Sequence, residues 1–150
     1  MQRIKSRYSA ASKKNQIQLC FEIKGEQTSL PIKCRHFEYV LSELLDNAIK
    51  FSNPHSTVIA EIIFIGNSMV IKVADTGVGI PQKFISKIFR KYFQYKPCSG
   101  KRHGAGLGLA IVHGIVKHYQ GRISIQSEKG TGTVVEIFFN GKEPPEHPSI

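Results

Sequence analysis

Glu43, Asn47 and Lys50 stand at i, i+4 and i+7, and at about 100° per residue a helix gathers them within roughly 60° of arc. A carboxylate, a neutral oxygen and an ammonium on one stripe suit Mg2+ and phosphate oxygens, although each alone is also an ordinary solvated residue. A second group lies in "DTGVGIP" (75–81), a carboxylate followed by two glycines and a proline. Asp75 either caps the turn or accepts a hydrogen bond from an exocyclic amine, with Gly77 and Gly79 letting the backbone approach a flat ring. The amine reading favours adenine, because a buried carboxylate facing guanine's carbonyl acceptor costs roughly 1–3 kcal/mol or more. A third stretch, "GKRHGAGLGLA" (100–110), imitates a dinucleotide loop. Its Gly104, Gly106 and Gly108 alternate, Leu109 takes the place of the last glycine, and "YKPCSGKRH" before it is no buried strand. The G-x-G-x-x-G fingerprint therefore fails on spacing and context, while a loop running into a helix start still suits phosphate. The fourth, "KGTGT" (129–133), reads alone as a turn between strands.

These groups need elements to hold them. "IQLCFEI" (17–23) alternates as a strand, and "LPIKC" (30–34) reads as a short second one. Over 35–51 the apolar residues Phe37, Val40, Leu41, Leu44, Leu45, Ala48 and Ile49 follow the period of an amphipathic helix closed by Pro54. "TVIAEIIFI" (57–65) and "MVIKVAD" (69–75) form a hairpin around "GNS". Pro81 opens a short helix to about Phe89. Residues 90–104 form the one long internal loop, basic and aperiodic as lids commonly are. A buried helix over 106–119 stops at Gly121, and "RISIQSE" and "VVEIFFN" pair around "KGTGT". Without regular βαβ alternation, the order fits an α+β two-layer sandwich, a sheet with helices on one face.

With 150 residues, 41% of them hydrophobic, the chain suits one domain. No apolar run reaches bilayer length, and the first sixteen residues hold no signal-peptide core. Cys20, Cys34 and Cys98 form no C-x-x-C pair, so neither a disulfide framework nor a zinc site is expected, and a reducing cytosol is the simplest home. The formal charge of +10 is compatible with nucleic acid, an anionic membrane, a phosphate-rich ligand or a solvated basic surface. Its cations are dispersed, with neither a recognition helix nor aromatic-basic alternation, so no direct nucleic-acid partner is expected.

Taken in order, the motifs resemble the catalytic ATP-binding domain of sensor histidine kinases, and more widely the gyrase, Hsp90, histidine kinase and MutL ATPase superfamily. "SELLDNAIKFS" (42–52) is similar to the family's N box, "DTGVGIP" to its G1 box, "FRKYF" (89–93) to a degenerate F box, "GAGLGL" (104–109) to its G2 box and "GTGT" (130–133) to its G3 element. The resemblance implies a Bergerat-type fold, a mixed and mostly antiparallel sheet under helices, with ATP and Mg2+ as cofactors. It implies that Asn47 coordinates Mg2+, that Glu43 lies near the metal or serves as base, and that Lys50 touches phosphate. Phe51 would cover the adenine ring, Asp75 would bind its amine, and Gly77, Gly79 and Ile80 would shape its pocket. Thr133 would assist Asp75 through its hydroxyl and a water. Gly104, Ala105, Gly106, Leu107, Gly108 and Leu109 would form the lid hinge and offer amides to phosphate.

The chain also departs from the family pattern. Lys91 replaces the F-box proline and Tyr92 its second aromatic; Phe51 stands where tyrosine is common. Gln94 stands for an arginine whose charge Lys96, Lys101, Arg102 or His103 would supply. None of the six histidines, at 36, 55, 103, 113, 118 and 147, lies in a phosphoacceptor box. The resemblance therefore implies the catalytic part of a longer cytoplasmic kinase. Residues 1–14 would end a connection from a dimerisation and phosphoacceptor domain, 15–140 would form the ATPase domain, and 141–150 a tail. A response regulator would be met through the parent, and a membrane only through other regions. Three relatives of the same superfamily stay open: an anti-sigma-type serine kinase, a gyrase- or MutL-like clamp, and a non-catalytic ATP-dependent interaction module.

Overall fold

Apolar residues three and four apart along 35–51, and alternating along 57–65 and 69–75, dictate a helix and two strands sharing one core. The computed structural model describes residues 2–26, 30–95 and 104–141. In chain order it contains α1 (Gln2–Lys14), β1 (Gln18–Lys24), α2 (Cys34–Phe51), β2 (Thr57–Ile65), β3 (Ser68–Asp75), α3 (Gln82–Ile85), α4 (Gly108–His118), β4 (Arg122–Glu128) and β5 (Gly132–Phe139).

The strands form one sheet in the order β1-β2-β3-β5-β4. Among the described residues only β1 and β2 pair in parallel, and the other three pairings are antiparallel. This is the expected α+β sandwich of a mixed, mostly antiparallel sheet. All seven apolar residues of the α2 stripe are buried, against a sheet face carrying Val58, Ala60, Ile62, Met69, Ile71, Val73 and Ile137. Each Val, Leu, Ile, Met or Phe among them contributes about 1.5–3 kcal/mol when removed from water.

Three boundaries differ from the sequence reading. Residues 30–34 are not a strand: Pro31 cannot donate to a ladder, Ile32 turns inward to 4% exposure, and Cys34 already begins α2. The helix after Pro81 is a single turn, because bonds from Lys87 to the Phe84 carbonyl and from Arg90 to that of Lys87 carry the chain on in turns. The last helix begins at Gly108 rather than 106, because Gly106 has φ +72° and cannot lie in a right-handed helix.

Residues 2–14 received no element from periodicity, yet they form α1 and join the core through Ile4 and Tyr8. The Tyr8 hydroxyl donates to the Ser42 carbonyl of α2 at 3.2 Å, and the ring is 1% exposed. Tyr8→Ala should lower the unfolding free energy by about 3 kcal/mol or more, and Tyr8→Phe by about 1 kcal/mol. Urea denaturation checks both; an unmoved midpoint in Tyr8→Ala would contradict the docking of α1.

Candidate functional site

The register of the last three strands lays two rows of side chains across the helix-facing side of the sheet. Val73 pairs with Val135, and Val135 with Ile125, giving an apolar row. One step along each strand face, Asp75 pairs with Thr133 and Thr133 with Ser127, giving a polar row. The first row floors a cavity of about 440 Å3, and Asp75 and Thr133 edge it.

Helix α2 supplies one wall. Glu43, Asn47, Lys50 and Phe51 all line the cavity, as their helical spacing requires. The loop after β3 contributes Gly79 and Ile80, and the segment entering α4 contributes Gly104, Ala105, Gly106, Leu107, Gly108 and Leu109. Of the residues that the resemblance assigns to nucleotide or metal, all described, Gly77 is the one that does not line the cavity. Its N–H donates to Asp75 Oδ1 at 2.9 Å, and a side chain there would meet the Phe51 carbonyl oxygen. Gly79 has φ +62°, and a Cβ on it would overlap the Glu128 carbonyl. Both glycines thus let the loop pass close to other backbone.

That loop is fastened on three sides. The Val78 N–H donates to the Phe51 carbonyl at 3.0 Å, the Gly130 N–H to the Val78 carbonyl at 2.8 Å, and the Ile80 N–H to Ser127 Oγ at 2.8 Å. Thr133 Oγ1 also lies 2.8 Å from Ser127 Oγ. Ser127 was missed in the sequence, although alternation in "RISIQSE" puts it on the face of Ile123 and Ile125.

The electrostatics are set by burial. Asp75 is pushed up to about 6 by desolvation, opposed by hydrogen bonds from the Gly77 and Thr133 N–H groups. Glu43 is also raised, first by burial and then by neighbouring Asp46, while Tyr39 and Lys50 pull it down. The Glu43 carboxylate lies beside Gly108 at the start of α4, where a side chain in place of the glycine would require the carboxylate to move. Lys50 Nζ lies 5.1 Å over the Phe51 ring.

The segment before α4 is tied at its base. The Tyr92 N–H donates to the Gly106 carbonyl at 2.9 Å, and Gln94 Nε2 to the Gly104 carbonyl at 2.6 Å. Lys96, Lys101, Arg102 and His103 lie outside the described residues. Phe89 stacks on His113 of α4 with centroids 5.2 Å apart, and Phe93 packs on Phe84 at 5.9 Å. Those two phenylalanines keep their packing without a proline between them, while Tyr92 is 73% exposed.

The donor set suits a hard cation. Asn47 and Glu43 offer oxygens one turn apart on the cavity wall, and Mg2+ commonly takes one or two protein oxygens with phosphates and waters completing its shell.

Residues 33–143 match the family described as Histidine kinase-, DNA gyrase B-, and HSP90-like ATPase. The chain is 33% identical over 105 residues to the circadian input-output histidine kinase CikA of Synechococcus elongatus, covering 69% of this chain and 14% of that one. It is 35% identical over 116 residues to the sensor histidine kinase RcsC of Escherichia coli, covering 75% of this chain and 12% of that one. The chain thus spans a small part of the length of these relatives. Its fold superposes on the catalytic domain of histidine kinase ThkA with a TM-score of 0.77 at 23% identity, over 92% of this chain and 89% of that one.

Two outcomes follow from the site's geometry. Gly79→Ala should destabilise by about 2 kcal/mol or more, through both its positive φ and the Glu128 carbonyl, as read by urea denaturation. For Asp75, the folded value of about 6 exceeds that of an unfolded carboxyl, so the folded state holds the extra proton between about 4 and 6. Stability should therefore fall by about 2–3 kcal/mol as pH rises through that window, and Asp75→Asn should remove this component. Equal pH dependence of the two chains between pH 4.5 and 7.5 would contradict a buried Asp75.

Proposed function

The chain belongs to the histidine kinase-, DNA gyrase B- and HSP90-like ATPase family, and from that premise we propose that it is the catalytic domain of a sensor histidine kinase. It transfers the γ-phosphoryl group of ATP to a histidine on a dimerisation and phosphoacceptor domain. The observation that carries this reading is the convergence of four separated motifs on one cavity: α2, the loop after β3, the start of α4 and the β5 row.

The cavity accommodates the two chemically different ends of ATP. Val73, Val135 and Ile125, with Phe51 beside them, would hold the adenine ring, and its exocyclic amine would donate to Asp75 and, through water, to Thr133. Gly77, Gly79 and Ile80 hold that end in shape. From Phe51 back to Glu43 is eight helical residues, about 12 Å, which carries the triphosphate towards the start of α4. There Lys50 pairs with phosphate, and the amides of residues 104–109 with the α4 N-terminus meet the developing charge.

Asn47 would hold Mg2+, with Glu43 beside it, and the ion would supply charge neutralisation at the phosphate oxygens. The raised affinity of Glu43 for protons suits it to take the proton of the acceptor imidazole. Little covalent work falls to the protein, so positioning and charge stabilisation carry the rate.

In this reading residues 15–140 are the ATPase domain, residues 1–14 end the connection to the phosphoacceptor domain, and 141–150 are a tail, of which 142–150 lie outside the described residues. A response regulator is reached through the parent kinase, nucleic acid is not a partner, and the domain works in the cytoplasm. Among the described residues no helix is long and apolar enough to cross a membrane.

Asn47→Ala should cost tenfold or more in Mg2+-dependent ATP affinity, by about the strength of one metal ligand, while circular dichroism and melting stay unchanged. Titration with and without Mg2+ checks it, and unchanged affinity would refute the metal assignment. Mixed with ATP, Mg2+ and the parent's phosphoacceptor domain, the chain should yield an acid-labile phosphoprotein. An acid-stable product would assign it to serine transfer instead.

A further inference from the structure

Ser127 makes three hydrogen bonds from one hydroxyl. The Ile80 N–H lies 2.8 Å from Ser127 Oγ, the Gly132 carbonyl oxygen 2.8 Å, and Thr133 Oγ1 2.8 Å. A serine hydroxyl carries one proton and two lone pairs, so the directions of these bonds can be worked out.

An amide N–H only donates, so Ile80 uses one lone pair of Ser127. A carbonyl oxygen only accepts, so the single Ser127 proton goes to Gly132. Were it given to Thr133 instead, two oxygens bearing only lone pairs would face each other at 2.8 Å. One lone pair of Ser127 remains, and Thr133 fills it by donating its own hydroxyl proton. Thr133 then shows the cavity lone pairs alone, beside an Asp75 carboxyl already held by the N–H groups of Gly77 and Thr133.

We infer that Ser127 is a specificity-determining positioning residue: by holding the Thr133 proton it makes the polar end of the cavity an acceptor surface, which selects a purine with an amine at position 6 over one with a carbonyl. Ser127 itself does not line the cavity and acts through Thr133 and Ile80. The inference rests on the nucleotide reading above and extends it from Asp75 to a residue on another strand. Selection arises because Asp75 and the Thr133 lone pairs take both protons of the bridging water, which then offers the purine only lone pairs: a 6-amino purine brings donors to this surface, whereas a 6-oxo purine brings an acceptor against acceptors.

Removing the Ser127 hydroxyl frees the Thr133 proton to turn into the cavity and donate to the bridging water, which then has a proton of its own to give to a carbonyl. The test is a set of equilibrium titrations of the whole chain with ATP and with inosine triphosphate, which differs at position 6. The parent should prefer ATP. Ser127→Ala should narrow that preference by about tenfold, the value of one buried acceptor–acceptor conflict. Ser127→Thr, which keeps the hydroxyl, should preserve the preference. Adding Ser127→Ala to Thr133→Val should leave the ratio of the Thr133→Val chain unchanged, because no hydroxyl remains to turn.

A purely structural role for Ser127 would weaken both nucleotides alike and leave the ratio at the parent value, and that result overturns the inference while the ATP reading stands. Should Ser127→Ala fail to fold, the Ser127→Thr and Thr133→Val chains decide. A Ser127→Thr chain that loses the preference, or a Thr133→Val chain that keeps the full preference, overturns it equally. Parent chain that binds neither triphosphate overturns the ATP reading and this inference together.

Discussion

The Phe51 carbonyl, at the last residue of α2, accepts the N–H of Val78, and that bond joins the helix bearing Glu43, Asn47 and Lys50 to the loop bearing Asp75. Helix ends leave carbonyls without intrahelical partners, and here one of them is met by another motif. The approach is possible because Gly77 has no side chain to strike the same carbonyl. The two walls of the cavity are therefore placed relative to each other by backbone, which no exchange of surface side chains disturbs. The polar row of Asp75, Thr133 and Ser127 then inherits its position from the loop, since Ile80 and Gly130 tie the loop's far end to β4 and the turn behind it.

Opposite demands meet in this small volume. The apolar floor of Val73, Val135 and Ile125 suits a flat ring, but the same dryness leaves Asp75 partly desolvated and Glu43 raised. The chain carries those costs at the one place where a ligand's donors or a cation would relieve them. Sites commonly hold such perturbed groups because ligand binding returns what folding alone leaves unsatisfied.

Local periodicity made much of the molecule legible. The seven apolar residues of α2 occupy the core as their spacing required, and the hairpin of β2 and β3 follows from alternation around a turn. Glycine-rich motifs were visible as motifs, yet the steric reason for Gly77 and Gly79 depends on the Phe51 and Glu128 carbonyls, which lie far along the chain. Helix α1 escaped notice because its few core residues, Ile4 and Tyr8 among them, sit within a basic stretch whose helicity rests on packing against α2. "LPIKC" looked like a strand because composition does not reveal that Cys34 already belongs to a helix. The role of Ser127 and the bond from Gln94 to the Gly104 carbonyl were hidden for a related reason: each depends on a partner chosen by the tertiary fold.

The strand order has a consequence for how the molecule comes into being. Hairpins β2–β3 and β4–β5 close over short turns, but β3 must meet β5 through long-range pairs such as Asp75 with Thr133, and Ile80 must meet Ser127 across a separation of 47 residues. Closing so long a loop carries an entropic cost that is returned only once the strands pair, which slows folding relative to local structure. The hairpins are thus able to form early, whereas the polar row exists only after their union. A ligand gripping that row engages a fully joined sheet and has no hold on either half, so its binding energy accrues to the completed fold.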